Sequence, residues 1–240
     1  MEKIGPKIRC LGRIDVVWGK GLFFQKNYAT FLSEGRRAML SRLAQHVASF
    51  FVKKGLIKKE DKEIYVYGFE VLISEVINWL ICIIIAITTG KLLETIFYMI
   101  AFMHLRETMG GFHANSHYGC IIISTLVYAA CLWLICMTPP GWYVVLVVVG
   151  LLIYLSQVYL IAPVAHPNKP FTSGREIQVF RRRSIRNSLI YCGVCVVFLI
   201  LPWEMSRVLS YCILLGMLTA SISMTVEYTI QIIHKRKEGM

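Results

Sequence analysis

The chain has 240 residues, 56% of them hydrophobic, and a formal net charge of +12. Charged residues make up only 17%, below the roughly 25% of a soluble domain, and mean hydropathy is +0.59. Several apolar runs approach spanning length, which argues against a soluble globular domain and for an integral membrane protein. The basic residues sit in the gaps between those runs, so they read as topology signals and not as a nucleic-acid surface.

Residues 1–38 mix Gly, Lys, Arg and isolated aromatics with no sustained period and no continuous apolar core for a signal peptide. They are expected to be a poorly ordered extension before a native start near Met39, with 39–240 forming one membrane domain. From Met39, residues Leu40, Leu43, Val47, Phe50 and Phe51 share one face, with Arg42 and Gln45 elsewhere. That pattern predicts an amphipathic helix. Lys53-Lys54-Gly55 supplies a basic last turn and a stop. The helix is expected either in the headgroup plane or packed as an ordinary surface helix.

Six apolar runs follow: Tyr67 to Thr89, Leu92 to Leu105, Tyr118 to Met137, Trp142 to Ile161, Leu189 to Leu201, and Val208 to Ile233. The second and fifth are short for a bilayer core of about 30 Å, which wants roughly 20 helical residues. The second is expected to continue through Arg106 or to bury its end in protein; the fifth can borrow Ile185 to Ser188. The predicted class is therefore all-α, a polytopic membrane bundle of about six spanning helices preceded by an interfacial amphipathic helix.

Loop charge predicts orientation. Lys53, Lys54, Lys58, Lys59 and Lys62 precede the first span, and only Lys91 follows it. Arg106 follows the second, and the third is followed by uncharged Thr138-Pro-Pro-Gly141. Lys169, Arg175, Arg181, Arg182, Arg183 and Arg186 follow the fourth. Arg207, opposed by Glu204, follows the fifth, and the tail carries His234-Lys-Arg-Lys237. Basic and nearly uncharged loops alternate, so the N- and C-termini are expected in the cytoplasm.

Of 8 cysteines, Cys82, Cys131, Cys136, Cys192, Cys195 and Cys212 fall within apolar runs, where cysteine behaves as a small hydrophobe. Cys192-x-x-Cys195 has redox spacing without flanking polar chemistry and reads as packing. Cys120 differs, because it closes a polar break that runs Arg106-Glu-Thr-Met-Gly110-Gly111-Phe-His113-Ala-Asn-Ser-His-Tyr-Gly-Cys120. Ionisable residues and irregular backbone at membrane depth point to function. A thiol becomes a strong nucleophile once a nearby imidazole takes its proton. His113 and Cys120 are seven residues apart, about 10.5 Å of rise on an unbroken helix, whereas a hydrogen bond needs about 3 Å. The backbone between them must bend for the two to act together, and Asn115, Ser116 and Gly119 favour turns or caps. Ser116 is a candidate cap for the third span, leaving Cys120 in its first turn. A helix N-terminus favours a thiolate and offers N–H groups to an oxyanion. Gly110 and Gly111 permit close approach of a substrate. On the residues alone a structural role stays open. So does a zinc site from His113, His117 and Cys120 at i, i+4, i+7, although the Glu of His-Glu-x-x-His is missing.

The same stretch resembles the signature of AgrB-type membrane peptidases of Gram-positive bacteria, in its spacings from arginine to glycine pair, histidine and cysteine. Ala162-Pro163-Val-Ala-His-Pro167-Asn168-Lys169-Pro170 is similar to that family's second cytoplasmic loop. The resemblance runs from about Met39 to the end. It implies a cysteine endopeptidase that processes a quorum-sensing propeptide, AgrD, through a thioester acyl-enzyme and promotes its cyclisation to a thiolactone or lactone. By match to the motif, Cys120 is the expected nucleophile and His113 the general base and acid. Arg106, Gly110 and Gly111 are the expected supporting or oxyanion residues.

Asn168, Lys169 and a basic loop at Arg181, Arg182 and Arg183 are candidate substrate contacts. Glu107, Asn115 and Ser124 are near in sequence, but none is singled out as a third catalytic group. No cofactor, metal or nucleic acid is expected. The expected partners are an AgrD-like propeptide, an anionic inner leaflet and a second copy as a homodimer. The expected location is the bacterial cell membrane, multi-pass, with the active site at the cytoplasmic face. Two rival readings are the metalloprotease above and a peptide transporter. The transporter rests on Glu75, Asn78 and Glu94 within the spans, which a bundle also tolerates as interhelical contacts.

Overall fold

The structure, a computed structural model, describes residues 39–112, 114, 117–164 and 173–238. The predicted extension at 1–38 lies outside them. Every regular element among the described residues is helical. Contacts divide the chain at Glu70/Val71 into two compact units.

In the first unit, α1 (Met39–Lys53) is the predicted amphipathic helix. Gly55 ends it at φ 71, with Leu56 N–H donating to Phe51 O and Gly55 N–H to Val52 O, each 3.0 Å. That is a Schellman cap, which needs a left-handed residue. The buried stripe differs from the predicted face. Leu40, Ala44 and Ala48 are buried, at i, i+4, i+8, whereas Leu43 and Phe50 are 51% and 56% exposed. Alanine contributes little to hydropathy but allows close packing, so the covered stripe is shifted toward the small residues. Phe51 packs on Phe69 at 5.5 Å between ring centroids, joining α1 to the start of α2 (Lys62–Thr88).

The second unit holds the rest of α2, then α3 (Leu92–Met109), α4 (His117–Met137), α5 (Tyr143–Ile161), α6 (Gly174–Ile200) and α7 (Glu204–Glu238). α7 is its centre and packs on α3, α5 and α6. Residues Tyr211 to Leu215 and Met217 are buried along it. Small residues set the crossings, as expected where lipid removes the hydrophobic drive between helices. A Cβ on Gly216 would sit 2.5 Å from the Tyr98 carbonyl oxygen of α3, and one on Gly150 of α5 would sit 2.6 Å from Leu214 Cδ2.

Five helical stretches are long and apolar enough to cross a membrane: Lys59–Thr88, Tyr118–Met137, Pro140–Ile161, Gly174–Ile200 and Glu204–His234. The second predicted run, α3, does extend through Arg106. It has 18 residues, about 27 Å of helix, and carries Glu94, Arg106 and Glu107. It is protected by packing, with Tyr98, Ala101, Leu105 and Met109 buried.

The fifth run starts much earlier than expected. α6 begins at Gly174, where Ser173 Oγ accepts from Glu176 N–H at 3.2 Å. A serine cap and an acidic first turn both favour helix, and no proline or later glycine interrupts the chain before Gly193. Arg181, Arg182 and Arg183 therefore lie on a helix and not in the predicted loop. The basic tail is helical as well, to Glu238.

Candidate functional site

The polar break is real. α3 stops at Met109, and α4 starts at His117. Gly110 N–H donates to Arg106 O at 3.0 Å and closes α3 with φ 79 and ψ −164, a conformation almost restricted to glycine. A Cβ there would collide with the Val164 carbonyl oxygen. Val164 in turn donates its N–H to Met109 O at 3.0 Å. The residues just after α5 thus lie against the end of α3.

Gly111 is pressed on α7. A Cβ would sit 2.7 Å from Ser223 Oγ. Phe112 N–H donates to both Ser223 O and Ser223 Oγ, each at 3.0 Å. Arg106 closes the arrangement: Nη2 donates to Phe112 O at 2.7 Å and Nη1 to Ser223 Oγ at 3.2 Å. Its guanidinium carbon lies 5.5 Å from the Phe102 ring centre, within cation–π range. Residues 110–112 are therefore a strap held between α3 and α7.

Cys120 is the fourth residue of α4 and half-buried. His113, Asn115 and Ser116 lie outside the described residues, as do Asn168 and Lys169. Of the zinc set, His113 and the side chain of His117 lie outside them too. Among the described residues no three His, Cys, Asp or Glu side chains converge as metal ligands.

The arginine triplet reaches the same end of this unit. Arg181 Nη2 donates to Tyr159 O near the end of α5, at 3.5 Å. The next buried residue, Ser184, donates to Thr108 O at 2.8 Å and to Phe180 O at 2.9 Å. Arg182 and Arg183 are exposed. A shallow groove of about 510 Å³ follows Arg182, Ile185, Arg186, Leu189 and Ile190 down α6.

Sequence reading missed Ser223. The available signal was faint: Ser221, Ser223 and Glu227 are polar residues within one apolar helix, and such residues usually face the protein interior. Ser221 donates to Gln157 Oε1 at 2.7 Å, and Glu227, 3% exposed, accepts from Gln231 at 2.9 Å. At the opposite end Lys91 pairs with buried Glu94 at 2.9 Å.

The family model of Accessory gene regulator B matches residues 44–226. The chain belongs to the AgrB family. It is 26% identical over 184 residues to an AgrB-like protein of Listeria monocytogenes serovar 1/2a, covering 75% of this chain and 86% of the relative. It is 23% identical over 176 residues to an AgrB-like protein of Clostridium perfringens strain SM101, covering 69% and 82%. A protein of Clostridium perfringens strain 13 named AgrB-like protein 2 is 21% identical over 196 residues, covering 78% and 92%. No solved structure matches. AgrB membership supports a role in the agr quorum-sensing system. With five candidate spans, the chain is a multi-pass membrane protein.

Proposed function

We propose that this AgrB-family chain is a membrane cysteine endopeptidase that cuts an AgrD-type propeptide and promotes its cyclisation. The observation that carries the reading is the position of Cys120, half-buried in the first turn of α4, downstream of a strap pinned to α7 at Phe112. A His113–Cys120 pair requires a backbone bend between the two residues, and the end of α3 at Met109 with the start of α4 at His117 supports this reading.

In this reading His113 takes the Cys120 thiol proton as the sulfur attacks the scissile carbonyl carbon. The first-turn N–H groups of α4 offer donors to the oxyanion. His113 returns the proton to the leaving amine, the C–N bond breaks, and the C-terminal tail departs. The remaining peptide is held as a thioester on Cys120. A thiol or hydroxyl within that peptide then attacks the thioester, closes a thiolactone or lactone, and regenerates the Cys120 thiol. Thiol–thioester exchange is nearly balanced, so the opposing reaction is hydrolysis. Excluding water and holding the internal nucleophile close favours the ring, since effective molarities reach about 10⁵ M or more.

Arg181, Arg182 and Arg183, with Asn168 and Lys169, contact the propeptide in this scheme. The site faces the cytoplasm and its anionic leaflet, both termini are cytoplasmic, and a homodimer is the proposed assembly. The test is reconstitution in vesicles with a propeptide. Cys120→Ala and His113→Ala should abolish cleavage, the wild type should trap an acyl-enzyme, and chelator should have no effect. Chelator sensitivity with loss in His117→Ala would favour the zinc reading, and absence of any cleavage would favour a transporter.

A further inference from the structure

We infer that Ser223 of α7 is a positioning residue of this peptidase: it anchors the Phe112 N–H directly and the Phe112 carbonyl through Arg106, immediately before His113 in the chain. The inference rests on the functional reading above, because it concerns how the proposed base is aimed. Both polar groups of Phe112 are engaged. Its N–H meets the Ser223 carbonyl and hydroxyl oxygens at 3.0 Å, and its C=O accepts from Arg106 Nη2 at 2.7 Å. Arg106 Nη1 lies 3.2 Å from the same hydroxyl. One serine therefore joins the arginine and the strap in a closed ring of hydrogen bonds. The next residue in the chain is His113, so the pinned Phe112 carbonyl carbon is bonded directly to the backbone nitrogen of the proposed base.

The Gly-Gly pair fits this arrangement sterically. Gly111 has no side chain where Ser223 Oγ stands, since a Cβ there would be 2.7 Å away. Gly110 clears the Val164 carbonyl oxygen on the other side. The strap is thus seated by two elements far apart in sequence. Hydrogen bonds to a charged donor are about twice as strong as neutral ones. Removing the hydroxyl leaves the Arg106 guanidinium and the Phe112 N–H with a weaker set of acceptors. Catalytic groups tolerate little displacement; a shift of about 1 Å can cost on the order of 10²-fold in rate. The loss should fall on the acylation step and spare substrate capture, because Ser223 is assigned no contact with the propeptide.

The experiment uses the full chain in vesicles with a propeptide and measures single-turnover formation of the Cys120 adduct across substrate concentration. Ser223→Val and Ser223→Thr are compared, since they have nearly the same shape and differ by the hydroxyl. Ser223→Ala is the third variant, and thermal unfolding of each is recorded. The valine and alanine variants should acylate roughly ten- to a hundredfold more slowly at saturating propeptide. Half-saturation should stay within about threefold, and threonine should recover most of the rate. Combining Ser223→Ala with Arg106→Lys should cost less than the product of the separate losses, because both act on one network. Wild-type rates in the alanine and valine variants, or a threonine variant as slow as valine, would overturn the inference. Wild-type protein and Cys120→Ala run alongside: no adduct in the wild type removes the peptidase reading itself, whereas an adduct that ignores the Ser223 hydroxyl removes only this one.

Discussion

Gly110 and Gly111 are neighbours with different tasks. Gly110 needs glycine for its backbone angles and for clearance from Val164; Gly111, at φ 156, needs it for its backbone angle and for clearance from Ser223 on α7. Gly110→Ala should therefore cost stability, about 2–3 kcal/mol from strain alone, visible as a lower unfolding temperature in detergent. Gly111→Ala should chiefly displace the strap and slow adduct formation on Cys120. A wild-type unfolding temperature for Gly110→Ala would contradict the cap. At the other end, Glu94 is buried with a half-exposed partner. Lys91→Met strands that carboxylate and should destabilise the protein by about 2 kcal/mol, with Glu94→Gln added in the same chain restoring part of it. The Glu94 carboxylate raises the Lys91 ammonium above its ordinary value. A raised pKa in the folded state means the pair contributes fully below the ordinary lysine value of about 10.4 and fades as pH rises through the folded one. The stability gap between wild type and Lys91→Met should therefore narrow at strongly alkaline pH.

Among the elements, α6 carries the arginines proposed to meet the propeptide and α7 holds Phe112. Because α6 begins at Gly174, its arginines are carried on a helix that is hydrogen-bonded to Thr108 O through Ser184. Reversing Arg182 and Arg183 to glutamate should raise KM for the propeptide more than it changes kcat. Unchanged binding, with topology intact, would remove those residues from the substrate site. α7 depends on its close crossing with α3. Gly216→Leu places a branched side chain where a single Cβ already meets the Tyr98 carbonyl. Overpacking of that kind costs about 1–3 kcal/mol, and the crossing also holds Ser223 in register with Phe112. The variant should lose both unfolding temperature and adduct yield.

Across the whole molecule, alternating loop charge predicts a cytoplasmic site. A fluorescent-protein fusion at the C-terminus should fluoresce in cells. An impermeant maleimide added outside should label a cysteine introduced at Lys91 or Pro139 and spare one at Arg182; the opposite pattern would invert the assignment. The six apolar segments and the break at Arg106 to Cys120 were legible in the sequence. Hydropathy is a local property, and a membrane demands it residue by residue. The arginine, glycine, histidine and cysteine spacing resembles the AgrB signature, and the family match over residues 44–226 agrees with it. Less legible were the start of α6, where a serine cap and an acidic turn outweighed the polarity of the arginines, and the alanine stripe of α1, which hydropathy underrates. Ser223 is only faintly legible, as one of several polar residues in an apolar helix. It meets Phe112 across 111 positions of sequence, and which of α7's several hydroxyls faces the strap depends on how that helix crosses α3. Membrane class and the position of the break follow from residue type and short spacing alone; the partner that holds Phe112 in place is chosen by packing, which depends on residues remote in the chain.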